Sequence, residues 1–193
     1  METLKNLAKA FVGESQARNR YTLYASVARK EGYQQISAIF LETAEQEFEH
    51  AEWLMKMIQD LKKDLSEDLS EIKIEAGVPT LIGTTAENLR VAANGEHHEN
   101  VEMYPEFAKK AEEEGFSQVA ARIRSISEAE KHHEERYRKL LKEVENGTVF
   151  KKDEEVEWIC RKCGYRHVGN EAPKECPSCG HDQGYYQVKC ENY

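Results

Sequence analysis

Apolar residues recur along the first 145 positions at the three- and four-residue spacing of a helix, as at Leu4 and Leu7, Phe40 and Leu41, and Leu54, Met57, Ile58 and Leu61. Apolar residues so spaced are expected to pack inward. The positions between them are filled by Ala, Glu, Lys and Arg, all good helix formers, and Pro and Gly are scarce. The pattern predicts four long helices, over 3–30, 34–63, 82–114 and 116–145. Only Glu31-Gly32-Tyr33 separates the first two, and only Glu114-Gly115-Phe116 the last two. Both read as tight turns in which glycine ends a helix, so each half is an antiparallel hairpin. Between the halves, Asp64 to Leu81 contains Gly77 and Pro79 and is longer than an ordinary helix connection. It is long enough to run the length of a bundle.

The two hairpins repeat one another. Shifting the chain by 83 residues places Tyr21 on Tyr104, Ala25 and Ala28 on Ala108 and Ala111, Glu31-Gly32 on Glu114-Gly115, and Glu47 and His50 on Glu130 and His133. Such a repeat implies a pseudo-two-fold axis. An all-α four-helix bundle with one long crossover joining two hairpins is the ferritin-like arrangement. One irregularity stands out: Tyr21 lies seven positions after Glu14, but Tyr104 lies eight after Glu96. An extra residue inside a helix is commonly absorbed as a π-bulge, so one is expected between Glu96 and Tyr104, near Pro105, turning Glu99 inward.

Chemistry enters with Glu47-Phe48-Glu49-His50 and Glu130-Lys131-His132-His133, each a Glu-x-x-His that puts both side chains on one helix face. One copy is weak, because acidic helices produce it by chance. Two copies at matching positions of a repeat are not, since di-iron and di-manganese bundles take Glu-x-x-His from two helices and a Glu from each of the others. Glu14 on the first helix and Glu96 on the third fill that role, with Glu99 one turn on. His133 rather than His132 matches His50, and His97 and His98 point away from the Glu96 and Glu99 face. Five carboxylates and two imidazoles suit iron or manganese. Without a cation, that many carboxylates in a core would each cost several kcal/mol or hold protons. Tyr21 and Tyr104 stand close by, as core aromatics or as phenols facing a metal-bound oxygen.

Composition adds the compartment and a second module. With 27 basic against 36 acidic residues, the net charge is -9, most of it before residue 150 (20 basic, 28 acidic). An acidic chain without basic blocks argues against a nucleic-acid partner. No apolar run is long enough for a membrane span, and Met1 to Phe11 lacks a signal-peptide core, so a cytoplasmic protein is expected. All five cysteines lie in the last 34 residues. Cys160-x-x-Cys163-Gly164 and Cys176-x-x-Cys179-Gly180 read as two knuckles around one tetrahedral iron or zinc, with Cys190 left free. The expected domains are 1–147, the bundle, and 148–193, a small β/loop metal domain that its ion helps to fold.

These residues resemble the rubrerythrin family from end to end. The likeness rests on Gly13-Glu14-Ser15-Gln16-Ala17-Arg18-Asn19-Arg20-Tyr21, both Glu-x-x-His segments, Gly95-Glu96-His97-His98-Glu99, and a rubredoxin-like tail with Trp158, Cys160, Cys163, Cys176 and Cys179. The resemblance implies two irons in a carboxylate-bridged site and one in a four-cysteine site, where zinc can substitute. It implies a peroxidase that reduces hydrogen peroxide to water against oxidative stress. Electrons would come from an external NAD(P)H-dependent reductase or a rubredoxin, relayed through the four-cysteine centre. By matching positions, Glu47 and Glu130 would bridge the irons, and Glu14, Glu96 and His133 would be terminal ligands. Glu99 and His50 would exchange with redox state, and Tyr21 and Tyr104 would donate hydrogen bonds to departing oxygens. Family members form homodimers, some with swapped hairpins. The competing readings are a ferroxidase or iron-storage protein, and a non-catalytic redox sensor or electron-transfer protein.

Overall fold

The computed structural model describes residues 1–63 and 70–191. It contains α1 (Glu2–Lys30), α2 (Gln34–Lys63), α3 (Thr85–His98), a π-helical turn (Glu99–Met103), α4 (Tyr104–Glu113) and α5 (Ser117–Glu145), followed by β1 (Lys151–Cys160), β2 (Arg166–Glu171) and β3 (Tyr186–Val188). The hairpin turns close as expected. Gly32 and Gly115 adopt φ of +86° and +89°, which a side chain would strain. The amides of Tyr33 and Phe116 reach back to the carbonyls of Ala28 and Ala111, both at 2.8 Å, the helix-terminating pattern that a left-handed glycine permits.

The third predicted helix differs in two ways. It starts at Thr85 rather than 82, because Thr84 and Glu87 form a capping box. It is also interrupted by the π turn, at the position where the repeat carries its extra residue. There Asn100 Nδ2 donates to the Glu96 carbonyl at 2.8 Å, and Ser127 Oγ donates to the Asn100 carbonyl at 3.1 Å. These bonds serve backbone groups that a widened helical turn displaces.

The repeat extends to an exchange of caps that holds the hairpins together. Glu31, at the end of α1, accepts from the Thr85 amide at the start of α3 at 3.0 Å. Its counterpart Glu114, after α4, accepts from the amides of Glu2 and Thr3 at 3.0 and 2.9 Å. A carboxylate at a helix N-terminus satisfies free donors and meets the positive end of the helix dipole.

The core is in two parts. One gathers Leu4, Leu7, Leu54, Met57, Ile58, Leu61, Tyr104, Phe107 and Ile123, with Ile72 and Ile74 of the crossover against it. The other gathers Tyr21, Tyr24, Phe40, Leu89, Tyr137 and neighbouring alanines. Of the predicted packing residues Leu41 is an exception: it is 36% exposed, on the outer face of α2. Residues 64–69 of the expected crossover lie outside the described residues; at its far end Tyr24 Oη donates to the Leu81 carbonyl at 3.0 Å. On α1, α2, α3 and α5 the two apolar clusters leave a gap at one level, and Glu14, Glu47, Glu96 and Glu130 occupy it.

The tail is a small antiparallel sheet in the order β2-β1-β3. Trp158, fully buried, donates its indole N–H to the Gly169 carbonyl at 2.9 Å. The tail seats on the α1–α2 turn: Tyr33 and Phe150 stack at 6.0 Å. A Cβ on Gly184 would stand 2.1 Å from the Gly32 carbonyl oxygen, so only glycine fits there.

Candidate metal centres

Three residues of helix bring Glu47 and His50 of α2, and Glu130 and His133 of α5, onto faces that meet across the bundle. The ligand atoms of Glu14, Glu47, His50 and Glu130 lie within 4.8 Å of one another, and so do those of Glu47, Glu96, Glu130 and His133. Glu47 and Glu130 thus belong to both groups. His50 Nδ1 stands 2.9 Å from Glu130 Oε1, 3.0 Å from Glu47 Oε2 and 3.9 Å from Glu14 Oε2. His133 Nδ1 stands 2.8 Å from Glu130 Oε2, 3.3 Å from Glu47 Oε1 and 3.7 Å from Glu96 Oε2.

Glu14, Glu47, Glu96, Glu130 and His133 are at most 2% exposed. Glu14 Oε2, Glu47 Oε1, Glu96 Oε2, both Glu130 oxygens and His133 Nδ1 nevertheless find no well-aligned hydrogen bond, only close charged neighbours. Buried polar atoms left without partners are costly, and a cation between them satisfies all of them at once. The electrostatics agree. Burial, then the Glu130 charge, raises the Glu14 carboxyl well above its usual range. Burial and Glu47 push Glu96 up to about 8. Burial works the same way on Glu47, but the close imidazoles of His133 and His50 outweigh it and bring that carboxyl to about 2. Burial would lower both imidazoles; instead the carboxylates around His50 raise it, and Glu130, Glu47 and Glu96 push His133 up to about 12. The cluster attracts positive charge, as protons or as metal.

The tyrosines cross between the halves. Tyr21 of the first hairpin donates to Glu96 Oε1 of the second at 2.5 Å, and Tyr104 of the second donates to Glu14 Oε1 of the first. Burial and the neighbouring carboxylates raise both phenols well above their usual value, so they act as neutral donors. Glu99 is placed differently from the other six predicted ligands. It lies outside both groups, on the wall of a cavity that Gly13 also lines. Burial, then Glu14 and Glu96, holds its carboxyl well above the usual range. His97 and His98 are exposed beside Glu134 and Glu102, and His132 is exposed.

Sequence reasoning missed the residues that orient His133. Its Nε2 meets Gln46 Oε1 at 3.0 Å, and Arg136 reaches both Gln46 Oε1 and Thr43 Oγ1. Tyr137 was missed as well; it packs edge-on against Tyr21 at 5.4 Å. Their only signal is polarity or aromaticity next to Glu47 or one turn from Glu47 and His133, since the repeat partners of Gln46 and Tyr137 are Ala129 and Leu54.

In the tail, Cys160, Cys163, Cys176 and Cys179 converge within 4.8 Å. The Cys160–Cys179 and Cys163–Cys176 sulfurs are 3.8 and 3.6 Å apart. That is far too long for disulfides and close to the edge of about 3.8 Å of a tetrahedron with metal–sulfur bonds of about 2.3 Å. Gly164 and Gly180, at φ of +78° and +69°, turn each knuckle so that its amide bonds the carbonyl of Cys160 or Cys176 at 2.8 Å. Burial raises the Cys176 thiol, but the Tyr186 hydroxyl and the amides of Ser178 and Cys179 prevail and bring it to about 6. Cys190 is free and exposed.

Comparison with known proteins decides what kind of bundle this is. The rubrerythrin family model matches residues 5–141, and the rubrerythrin rubredoxin-like domain matches 158–187. A Methanocaldococcus jannaschii protein is 60% identical over 193 residues, covering all of this chain and 95% of its own length. The chain belongs to the rubrerythrin family. Rubrerythrin-1 of Clostridium acetobutylicum is 53% identical over 192 residues, covering 100% of this chain and 96% of that protein. The solved structure of nigerythrin in its fully reduced, all-ferrous state superimposes with a TM-score of 0.64 at 31% identity, over 97% of this chain and 86% of that one. A rubrerythrin is an oxidoreductase with a carboxylate di-iron site in a ferritin-like bundle and a rubredoxin-like four-cysteine site. Both clusters here fit: mixed carboxylate and imidazole donors suit iron, and four converging sulfurs suit iron or zinc. No helix among the described residues is long and apolar enough to cross a membrane.

Proposed function

We propose that this rubrerythrin reduces hydrogen peroxide to water. Electrons would enter the four-cysteine centre of residues 148–193 from an external NAD(P)H-fed reductase or a rubredoxin and be consumed in the bundle of residues 1–147. The observation that carries the reading is a pair of ligand groups sharing Glu47 and Glu130, fused in one chain to a four-cysteine site. Storage of iron requires no thiolate centre. Bound iron supplies the one-electron redox chemistry at both sites.

The protein's own part is to hold, orient and protonate. Glu47 and Glu130 would hold both ions, Glu14 and His50 one, and Glu96 and His133 the other. Reduction of peroxide consumes two electrons and two protons per two waters formed, so proton donors are needed beside a dry site. The apolar clusters above and below exclude water. The Tyr21 and Tyr104 hydroxyls donate to Glu96 and Glu14 and fix them in place, and each would turn from its carboxylate to donate to a departing oxygen. Glu99, its carboxyl raised, is the group best placed to deliver a proton from the cavity side. It would also exchange with His50 as the redox state changes. The extra residue of the π turn supports that reading, as does the difference in anchorage of the imidazoles: Gln46 holds the far nitrogen of His133, whereas the bonds made by His50, 14% exposed, are all on Nδ1. The protein would work in the cytoplasm as a homodimer or larger homo-oligomer.

The test is steady-state oxidation of NAD(P)H by the iron-loaded protein with a reductase and hydrogen peroxide. Sustained turnover, abolished by Glu130→Gln, is expected. Stoichiometric oxidation that then stops would make the protein a sensor or electron carrier instead.

A further inference from the structure

We propose that a cavity of about 740 Å³ between crossover residues 75–79 and the faces of α1, α3 and the π turn is the entry port for a small uncharged oxidant. Gly13 and Gly95 keep it open. Naming the oxidant as peroxide rests on the reading above; the port itself does not.

Of the seven residues around the carboxylate site, Glu99 alone lines this cavity. The two glycines lie in the interiors of α1 and α3, where glycine weakens a helix relative to alanine. Ordinary reasons for glycine are missing at both. Neither has a positive φ. A Cβ on Gly95 would meet nothing within 4 Å, and one on Gly13 only Glu99 Oε1 at 3.8 Å, an ordinary contact. Each glycine immediately precedes a buried carboxylate, Glu14 or Glu96, at matching positions of the two hairpins. What both share is the cavity, and what a side chain at either would remove is open space in front of Glu99. Besides Glu99 and His98, the wall carries Lys9 and Arg20 against Glu75, Glu102 and Glu106. That balance disfavours anions and leaves neutral molecules unhindered.

The rival route is the edge of His50. Nitric oxide, small and neutral, separates the two by its rate of binding to the reduced, iron-loaded protein, read optically. Gly95→Leu and Gly13→Leu, and Val78→Trp set from the exposed crossover, are expected to slow binding at least about tenfold, with iron content unchanged. Gly95→Ala is expected to raise Tm by about 2–4 °C, as a helix-interior glycine without a packing role should. An unchanged rate in any folded, iron-replete blocking variant overturns the port, and so does a fall in Tm for Gly95→Ala. Nitric oxide binding needs no peroxide chemistry, so these results stand apart from the turnover that tests the peroxidase reading.

Discussion

Loading the carboxylate site with metal should expel protons, and the structure gives the number. In the metal-free protein at pH 7, His50 and His133 hold protons because the carboxylates around them raise both, the latter to about 12. Glu96, pushed up to about 8, holds one too, and burial and then Glu130 shift Glu14 in the same direction. Glu47, near 2, holds none. Metal ligands bind deprotonated, so filling both groups with divalent ions releases about three protons per chain or more. Glu14, and Glu99 if it joins the site, shift in the direction that adds to that number. The sign of the stability change follows. Groups raised in the folded state stabilise it most below their unfolded values and lose that contribution as pH rises through the folded ones. The metal-free protein should therefore weaken from pH 5 toward pH 9, the Glu96 part vanishing as pH passes about 8. The loaded protein, whose ligands no longer bind protons, should lose that trend. The assay is anaerobic calorimetric titration of Fe(II) into protein with its four-cysteine site already filled, in buffers of different ionisation enthalpy. Release of less than about one proton per chain would refute the assignment of these residues as ligands.

Glu47→Gln removes a carboxylate that both groups share, so elemental analysis should find both bundle ions lost, whereas His50→Ala should lose only one. Gln46→Leu frees the far nitrogen of His133 and should weaken binding of one ion by about 10- to 100-fold, measured by competition with a chelator. Glu114→Gln weakens the cap on α1 and should cost about 1 kcal/mol, seen as a Tm lower by about 2–4 °C at pH 7. Hydrogen bonds from Thr3, then from the Glu2 amide, bring the Glu114 carboxyl to about 2, so the gap between variant and wild type should close as pH falls from about 4.5 through 2.

Much of this architecture is legible in the chain because it is written twice. Gly32 and Gly115 mark both turns, and Glu47, His50, Glu130 and His133 gain meaning only as a pair of pairs. Even the π turn announces itself, as one residue too many between Glu96 and Tyr104. What is hard to read is what occurs once. Gln46, Thr43 and Arg136 brace His133 without counterparts in the other hairpin, and a lone polar residue beside a ligand or one turn from it looks like any solvated position. Leu41 has helical spacing but faces outward, because periodicity gives a face its width and not its edge. The caps by Glu31 and Glu114 sit on repeated residues, yet their partners lie in the opposite hairpin, and no local pattern names them.

Anaerobic stopped-flow of the fully reduced, iron-loaded protein against hydrogen peroxide and, separately, dissolved oxygen tests the central claim most directly. Fast oxidation of the iron chromophores by peroxide, with slow oxidation by oxygen, is the predicted result. Preference for oxygen, with more iron taken up than the two clusters can hold, would contradict it and make the protein a ferroxidase or an iron store.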